Sequence, residues 1–214
     1  MKNIDLSLVM VAQDVLENLI SGCPQLEELK LTHIDGLYQI NIHAPNLKFF
    51  EIYGKFGGVT FDNTFQLAKI VITSWFELNS ESNQSRLHGS SSNMLKFFDH
   101  LPHIQSLEIG SDLLKATVLV RTIPLTPATY CWEDIFSVPT TPFQVRHMRI
   151  VGISDTKLEL EFIKFLLLYS PVLKKMTVMP VANVVPELMK ALIRFKRASG
   201  EAEVIWQDPF EYGE

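Results

Sequence analysis

The sequence is poor in cysteine and has no long apolar run. Cys23 and Cys131 are the only cysteines among 214 residues, and they lie far apart without CxxC spacing. Nothing in this number demands a disulfide, so two reduced thiols in an intracellular protein, in the cytoplasm or nucleus, are the favoured interpretation. No window approaches ~18 uninterrupted apolar residues, which excludes a predicted membrane-spanning helix. Asp5 and Asp14 bracket the first short apolar run, so no signal peptide is predicted.

An excess of positive charge is also missing. Lys and Arg number 19 against 24 Asp and Glu, which gives a formal net charge of −5. A general nucleic-acid binder normally has a basic face, so that class is disfavoured. The chain is 47% hydrophobic, which excludes bulk disorder and suits one globular unit or two small ones.

Motifs that carry chemistry are absent as well. None of the 6 histidines lies in an HExxH motif or near a cysteine pair. The segment "GKFGG" (54–58) lacks the spacing of a phosphate-binding loop, and "GISD" (152–155) is not a nucleophile elbow. No catalytic residue, metal or cofactor is therefore predicted. A histidine and a carboxylate meeting in one cleft would favour the enzyme alternative.

One pattern recurs along the chain. A proline is followed by apolar residues in the order L-x-x-L-x-L, and two further copies keep the apolar residues without the proline. The copies are Pro24–Leu31, Pro45–Ile52, Pro102–Ile109 and Pro171–Val178, then 67–72 and 145–150. The last three positions of the motif alternate apolar, polar, apolar, as in a short strand with one buried face. Repeated L-x-x-L-x-L is typical of the strand of a leucine-rich repeat.

Helices are predicted before three of these strands, at Val15–Ser21, Met94–His100 and Leu158–Tyr169. Proline disfavours the α region for the preceding residue, so each helix is expected to end there. Asp14 with Glu17 predicts a capping box at the start of the first helix. Gly22 is expected to end that helix in the left-handed conformation.

The spacing between repeats is uneven, which predicts two insertions. Residues 77–93 are polar and serine-rich, as in a flexible loop. Residues 121–143 carry four prolines and several aromatics, including Tyr130 and Trp132, and are expected to pack against the body. Further strands are predicted at 37–42 and 202–206. A helix beginning at Pro186 is expected to close the end of the repeat stack together with the last strand.

The segments "LENLISGCPQLEELKL", "INIHAPNLKFFEI" and "LELEFIKFLLLYSPVLKKMTV", followed by "LIRFKRASGEAEVIW", resemble the plant F-box/FBD/leucine-rich-repeat proteins. The C-terminal pairing of "FIKF", "SPVL", "RAS" and "AEVI" resembles the FBD module. The fold implied is α/β, a short irregular leucine-rich-repeat solenoid with a C-terminal helix–strand (FBD) cap. Residues 1–150 then form the repeat region and residues 151–214 the FBD-like region.

The resemblance implies the substrate-recognition part of an SCF-type ubiquitin ligase, in which an F-box binds a Skp-family adaptor and the repeats hold a protein target. No F-box is recognisable in residues 1–22. The adaptor is thus expected as a partner only if an F-box is supplied elsewhere. The alternatives are a truncated relative acting as a free adaptor without a ligase role, and a receptor that holds a small molecule in a concave pocket.

In a repeat solenoid, side chains between the core positions of each strand point towards the concave face. The predicted partner-binding residues there are Glu28, Lys30, Phe49, Glu51, Tyr53, Glu108, His147 and Arg149. Phe49 and Tyr53 are aromatics on one strand, and such residues are candidate contact anchors. The alternative is that the 121–143 insertion covers them.

A second candidate surface is the basic cluster Lys190, Arg194, Lys196 and Arg197. It is suited to a phosphate or an acidic partner. The favoured interpretation is structural, because basic residues near a helix C-terminus interact well with the helix dipole and the last carbonyls.

Overall fold

The computed structural model describes residues 1–34, 37, 39–54, 56, 58–74, 103–111, 142–154, 156–181, 190 and 192–208. Within them lie ten strands and two helices of assigned bounds. The strands are β1 Asn3–Ser7, β2 Glu28–Thr32, β3 Gln39–His43, β4 Phe49–Gly54, β5 Gly58–Asp62, β6 Lys69–Ser74, β7 Ser106–Gly110, β8 His147–Ile153, β9 Lys175–Pro180 and β10 Glu203–Trp206. The helices are α1 Gln13–Ser21 and α2 Lys157–Tyr169.

Eight strands form one parallel sheet in the order β1-β2-β4-β6-β7-β8-β9-β10. The six strands predicted from L-x-x-L-x-L are confirmed as β2, β4, β6, β7, β8 and β9, and the predicted strand at 202–206 is confirmed as β10. The register aligns equivalent positions of successive repeats. Leu29, Phe50, Ile70 and Leu107 consequently form one continuous buried row, each at most 4% exposed. A mixed α/β fold with a parallel sheet of this kind fits the leucine-rich-repeat type.

Pro24, Pro45 and Pro171 each lie in a turn that leads into the strand of their repeat. The carbonyl before the proline accepts a hydrogen bond from the amide three residues on, as in Leu26 to Cys23, Leu47 to Ala44 and Leu173 to Ser170. Proline suits the second position of such a turn because its φ is already set. The turn is common to repeats that follow a helix and to Pro45, which follows strand β3.

Helix α1 confirms the predicted helix but not its caps. Ala12 is the N-cap and makes no side-chain capping bond, so the predicted Asp14–Glu17 capping box is wrong. Glu17 instead accepts a hydrogen bond from the Asn41 side chain of β3 at 2.9 Å. Gly22 has φ −71°, in the right-handed region, so the predicted left-handed ending is also wrong.

Helix α2 confirms the predicted helix Leu158–Tyr169 and has a true capping box. The Thr156 hydroxyl accepts from the Glu159 amide, while the Glu159 carboxylate accepts from the Thr156 and Ser154 amides. Its apolar face is buried, including Phe162 and Phe165. The Phe165 ring also packs on Phe143, with centroids 5.9 Å apart.

Two strands were not predicted. β1 pairs with β2 and extends the main sheet, and β5 pairs with β3 in a separate two-stranded parallel sheet. The predicted strand at 37–42 is therefore confirmed as β3, but it lies outside the main sheet. Phe50 of the main sheet and Phe61 of β5 meet edge to face, with centroids 5.2 Å apart.

Several predictions fall on residues outside the described part of the chain. These are the helix Met94–His100, the 77–93 insertion, most of the 121–143 insertion and the start of the helix at Pro186. The predicted boundary between residues 150 and 151 falls within β8 and stays a prediction. None of the helices in the described ranges is long and apolar enough to cross a membrane.

Candidate functional site

The main sheet has one buried face, and the alternate residues of its strands form the other face, here called the outer face. Burial alternates along β2 and β4, with Leu29, Leu31, Phe50 and Ile52 inside. All eight residues predicted for partner binding lie on the outer face. Because the strands are parallel and in register, equivalent residues form rows across the sheet.

Three rows define the outer face. The first row is Asn3, Glu28, Phe49, Lys69, Ser106, His147, Lys175 and Glu203. The second row is Asp5, Lys30, Glu51, Val71, Glu108, Arg149, Thr177 and Ile205. The third includes Ser7, Thr32, Tyr53 and Thr73. Polar and charged side chains dominate the first two rows.

Phe49 is the centre of a small cationic cluster. The ammonium groups of Lys30 on β2 and Lys69 on β6 lie 5.5 and 5.1 Å from its ring centroid. Both are within the range of cation–π attraction, about 0.5–1 kcal/mol each at an exposed site. The two lysines hold the half-buried ring from the neighbouring strands. The resulting patch combines an aromatic ring with two positive charges.

Opposite charges lie side by side along the second row. Lys30 and Glu51 are 4.0 Å apart, and Arg149 and Glu108 are 3.9 Å apart. Pairs this exposed and this long contribute little to stability, about 0–1 kcal/mol. Their main effect is to fix the pattern of charge that the face offers to a partner.

Tyr53 is the second aromatic of β4 and is 38% exposed. The ring of His33, in the loop after β2, meets it edge to face at 4.7 Å, and the His33 amide donates to the Tyr53 carbonyl. His33 was not predicted to take part in the site. In the sequence, the position of His33 directly after the predicted strand was the signal that could have indicated this contact. Tyr130 and Trp132 lie outside the described residues, so the covering of this face by the insertion stays a prediction.

The members of the basic cluster differ in their exposure. Arg197 is half-buried and donates a hydrogen bond to the carbonyl of Ala202, the residue just before β10. Lys190, Arg194 and Lys196 are exposed. The contact of Arg197 agrees with the structural interpretation of that residue.

The residue just before seven of the eight strands of the main sheet, all except β10, belongs to a further row, here called the leading row. It consists of Lys2, Glu27, Lys48, Ala68, Gln105, Arg146 and Lys174, joined through backbone hydrogen bonds between neighbouring repeats. The Glu27 carboxylate accepts hydrogen bonds from Lys2 at 2.6 Å and Lys48 at 2.7 Å. These bonds, Lys2 first and then Lys48, lower the pKa of Glu27 to about 2. Glu27 thus links the leading-row positions before β1, β2 and β4 through two charged hydrogen bonds.

His43 lies beside a carboxylate, and no histidine of the described residues belongs to a cluster of possible metal ligands. No three His, Cys, Asp or Glu side chains of those residues gather where they would hold a metal ion. His43 and Asp62 do meet, with Nδ1 and Oδ2 3.0 Å apart. Their side chains are 55% and 83% exposed, so this pair lies in open solvent rather than in a cleft.

The parallel repeat sheet and its polar outer face define a repeat protein of the recognition type. The family described as "FBD-associated F-box protein At5g56370, LRR repeats" matches residues 1–131. The chain belongs to this family, that of the plant F-box/FBD/leucine-rich-repeat proteins, as the resemblance of its segments indicated. It is similar to the F-box/FBD/LRR-repeat protein At1g13570 of Arabidopsis thaliana, with 27% identity over 260 residues.

That alignment covers 96% of this chain and 62% of the relative. The chain thus spans less than two thirds of the length of the curated relative it matches. No solved structure matches the chain. Membership of the family makes this chain a protein-interaction module of the F-box protein family.

Proposed function

We propose that the outer face of the eight-stranded sheet holds a protein target, and that the chain is the recognition part of a substrate receptor of an SCF-type ubiquitin ligase. The observation that carries the proposal is the in-register face around Phe49, where an aromatic ring lies between two lysines and beside paired charges. Aromatic side chains and arginine are frequent hot spots of protein interfaces. Family membership supplies the ligase context.

The architecture we propose is a short solenoid closed by an FBD-like cap. The support comes from the contacts of the last segment with the repeats before it. The Ser199 hydroxyl donates to the Leu173 carbonyl, the Ala198 amide donates to the Leu167 carbonyl, and β10 pairs with β9. A terminal unit bound in this way covers the end of the repeat core, which an array of repeats requires.

The mechanism is display rather than catalysis. A sheet whose backbone is fixed by parallel pairing presents its surface side chains in set positions, and binding follows from shape and charge complementarity. The His43–Asp62 pair is exposed to solvent, whereas a residue that transfers a proton to a substrate is normally positioned in a pocket. This exposure favours display over catalysis. The compartment we propose is the cytoplasm or nucleus, where SCF-type ligases act.

Two alternatives remain within the same fold. The first is a free adaptor that binds the target without a ligase, which differs only in its partners. The second is a receptor for a small molecule near Phe49. Lys30 and Lys69 occupy the space beside that ring, which makes the spot polar and favours a macromolecular partner over an apolar ligand.

The test is affinity capture of this chain from plant extract, followed by mass spectrometry. Recovery of a Skp-family adaptor and a cullin supports the ligase role, and their absence beside another enriched protein supports the free adaptor. The double variant Phe49→Ala with Tyr53→Ala is expected to lose the enriched target. Ile193→Ala, which shortens an exposed apolar side chain outside the sheet, is the matched control and is expected to retain it. Equal recovery by both variants would refute the outer face as the binding surface.

A further inference from the structure

The leading row has one small member. Glu27, Lys48, Gln105, Arg146 and Lys174 have long side chains, whereas Ala68 occupies the equivalent position before β6. Its backbone keeps the regular pairing, since the Ala68 amide donates to the Lys48 carbonyl at 3.0 Å and its carbonyl accepts from Gln105 at 2.9 Å. The short Ala68 side chain therefore leaves a gap in the leading row, and the sheet itself is unbroken there.

A cleft of about 380 Å³ lies beside this gap. Its lining comes from four successive repeats and consists of Phe65, Gln66, Leu67, Ala68, His103, Gln105, Gln144, Arg146 and Val172. The volume is at the low end of small-ligand sites, about 300–1,000 Å³. It therefore admits a short stretch of a ligand.

The lining has apolar ends and a polar middle. Phe65, at the turn before β6, is 72% exposed, and Val172, at the turn before β9, is 38% exposed. Between them lie the amides of Gln66, Gln105 and Gln144. Exposed apolar side chains beside hydrogen-bonding groups are typical of an interaction site.

The charge of the cleft has one sign. Among the described residues, Arg146 and His103 are the ionisable members of its lining, and no Asp or Glu of that part of the chain belongs to it. The excess of acidic residues in the whole chain makes this local absence informative. A guanidinium group binds a carboxylate through two parallel hydrogen bonds, while side-chain amides both donate and accept, as a peptide backbone requires.

We propose that this cleft is a second binding site, separate from the outer face, which takes a short extended acidic peptide segment. An Asp or Glu side chain of the segment meets Arg146, its main chain meets Gln105 and Gln144, and a neighbouring apolar residue packs on Phe65. A single-stranded nucleic acid fits less well, because such sites track many phosphates with a basic groove. The proposal goes beyond the proposed function and does not depend on it.

The experiment is NMR titration of the full ¹⁵N-labelled chain with mixed pentapeptides that have blocked termini. One pool carries Glu at the centre and the other carries Gln. The Glu pool is expected to shift the side-chain amide signals of Gln105 and Gln144 and the backbone signals around Ala68. The Gln pool is expected to bind at least about tenfold more weakly, because it lacks the charge-assisted bond.

Three variants test the geometry with matched changes. Arg146→Gln is expected to lose the preference for the Glu pool, whereas Lys174→Gln removes the same charge from the next repeat, outside the lining, and is expected to keep it. Ala68→Gln fills the gap in the leading row and is expected to abolish binding of both pools. Far-UV circular dichroism and unfolding midpoints establish that each variant is folded.

The proposal is overturned if the two pools bind equally, if the cleft signals do not move, or if Lys174→Gln has the effect of Arg146→Gln. Competition by inorganic phosphate at lower concentration than the Glu pool would assign the site to phosphate and would also overturn it. Phe49→Ala leaves the cleft titration unchanged, so failure here and failure of the outer-face proposal are distinguishable.

Discussion

Two buried serines in the C-terminal part of the described chain allow a matched test of the packing. The Ser199 hydroxyl is buried and donates to the Leu173 carbonyl of the preceding repeat at 2.7 Å. Ser170 is buried more completely, and among the described residues its hydroxyl has no hydrogen-bond partner. The same change, serine to alanine, therefore removes a bond at one position and an unsatisfied polar group at the other.

The expected effects have opposite signs. Ser199→Ala leaves a buried carbonyl without one donor, which costs about 1–2 kcal/mol. The Ser170 hydroxyl loses its hydrogen bonds to water on folding and gains none among the described residues. Ser170→Ala removes this desolvation cost, so the free energy of unfolding is expected to rise by about 0–1 kcal/mol. The backbone bond from Leu173 to the Ser170 carbonyl is unaffected by the change.

Urea unfolding followed by far-UV circular dichroism measures both variants against the wild type. With a urea slope of about 2 kcal/mol/M, Ser199→Ala lowers the midpoint by about 0.5–1 M, while Ser170→Ala leaves it unchanged or raises it. Equal slopes are required for the comparison. Destabilisation of Ser170→Ala by as much as Ser199→Ala would show that its hydroxyl has a partner and would refute the reasoning.

Three further outcomes follow from the structure. The pKa of Glu27 is about 2 in the folded chain, against an ordinary value of 4.5. Its stabilising effect is therefore complete above about pH 4.5 and is lost as the pH falls towards 2. For Glu27→Gln, the urea midpoint is expected to lack this part of its decrease at acid pH. Gly110→Ala would place a Cβ 2.9 Å from Thr73 Cγ2, and is expected to cost about 1–3 kcal/mol, whereas Gly200→Ala meets nothing within 4 Å and is expected to be near neutral in thermal unfolding. Phe49→Leu removes two cation–ring contacts and is expected to lower the unfolding free energy by about 1 kcal/mol in urea titrations.

Each of these outcomes has a result that contradicts it. If the urea midpoint of Glu27→Gln falls at acid pH as much as that of the wild type, the hydrogen bonds of Glu27 to Lys2 and Lys48 do not persist in solution. Gly110→Ala with wild-type stability would mean that the sheet separates there without cost. If Phe49→Leu is neutral while Phe49→Ala destabilises, the ring contributes by its volume and not through the lysines.

The sequence predicted the main sheet well because its signal is local and repeated. L-x-x-L-x-L places Leu29 and Leu31 on one side and Glu28 and Lys30 on the other, and the burial of β2 follows that order. β1 and β5 escaped prediction because a single short alternation, such as Ile4 with Leu6, has no partner within its own segment. Pairing with β2 and β3 supplies what the local pattern lacks.

The caps of α1 show a different limit. Asp14 and Glu17 have the spacing of a capping box, yet the helix begins at Gln13, and Glu17 hydrogen-bonds Asn41 of β3 instead. A side chain near a helix start chooses between the backbone and a tertiary partner. That choice depends on which strand packs against the helix, and the sequence does not state this.

By itself the sequence determined the repeat, the strands of the six repeats, their inward residues and the face on which Phe49 lies, because these follow from a period of two along each strand. Only the tertiary structure decided that Lys30 and Lys69 lie over the Phe49 ring and that Ala68 lines a cleft together with Gln105 and Arg146. Both features arise between strands that are distant in sequence. Their contacts depend on the register of parallel pairing, which aligns residues from different repeats.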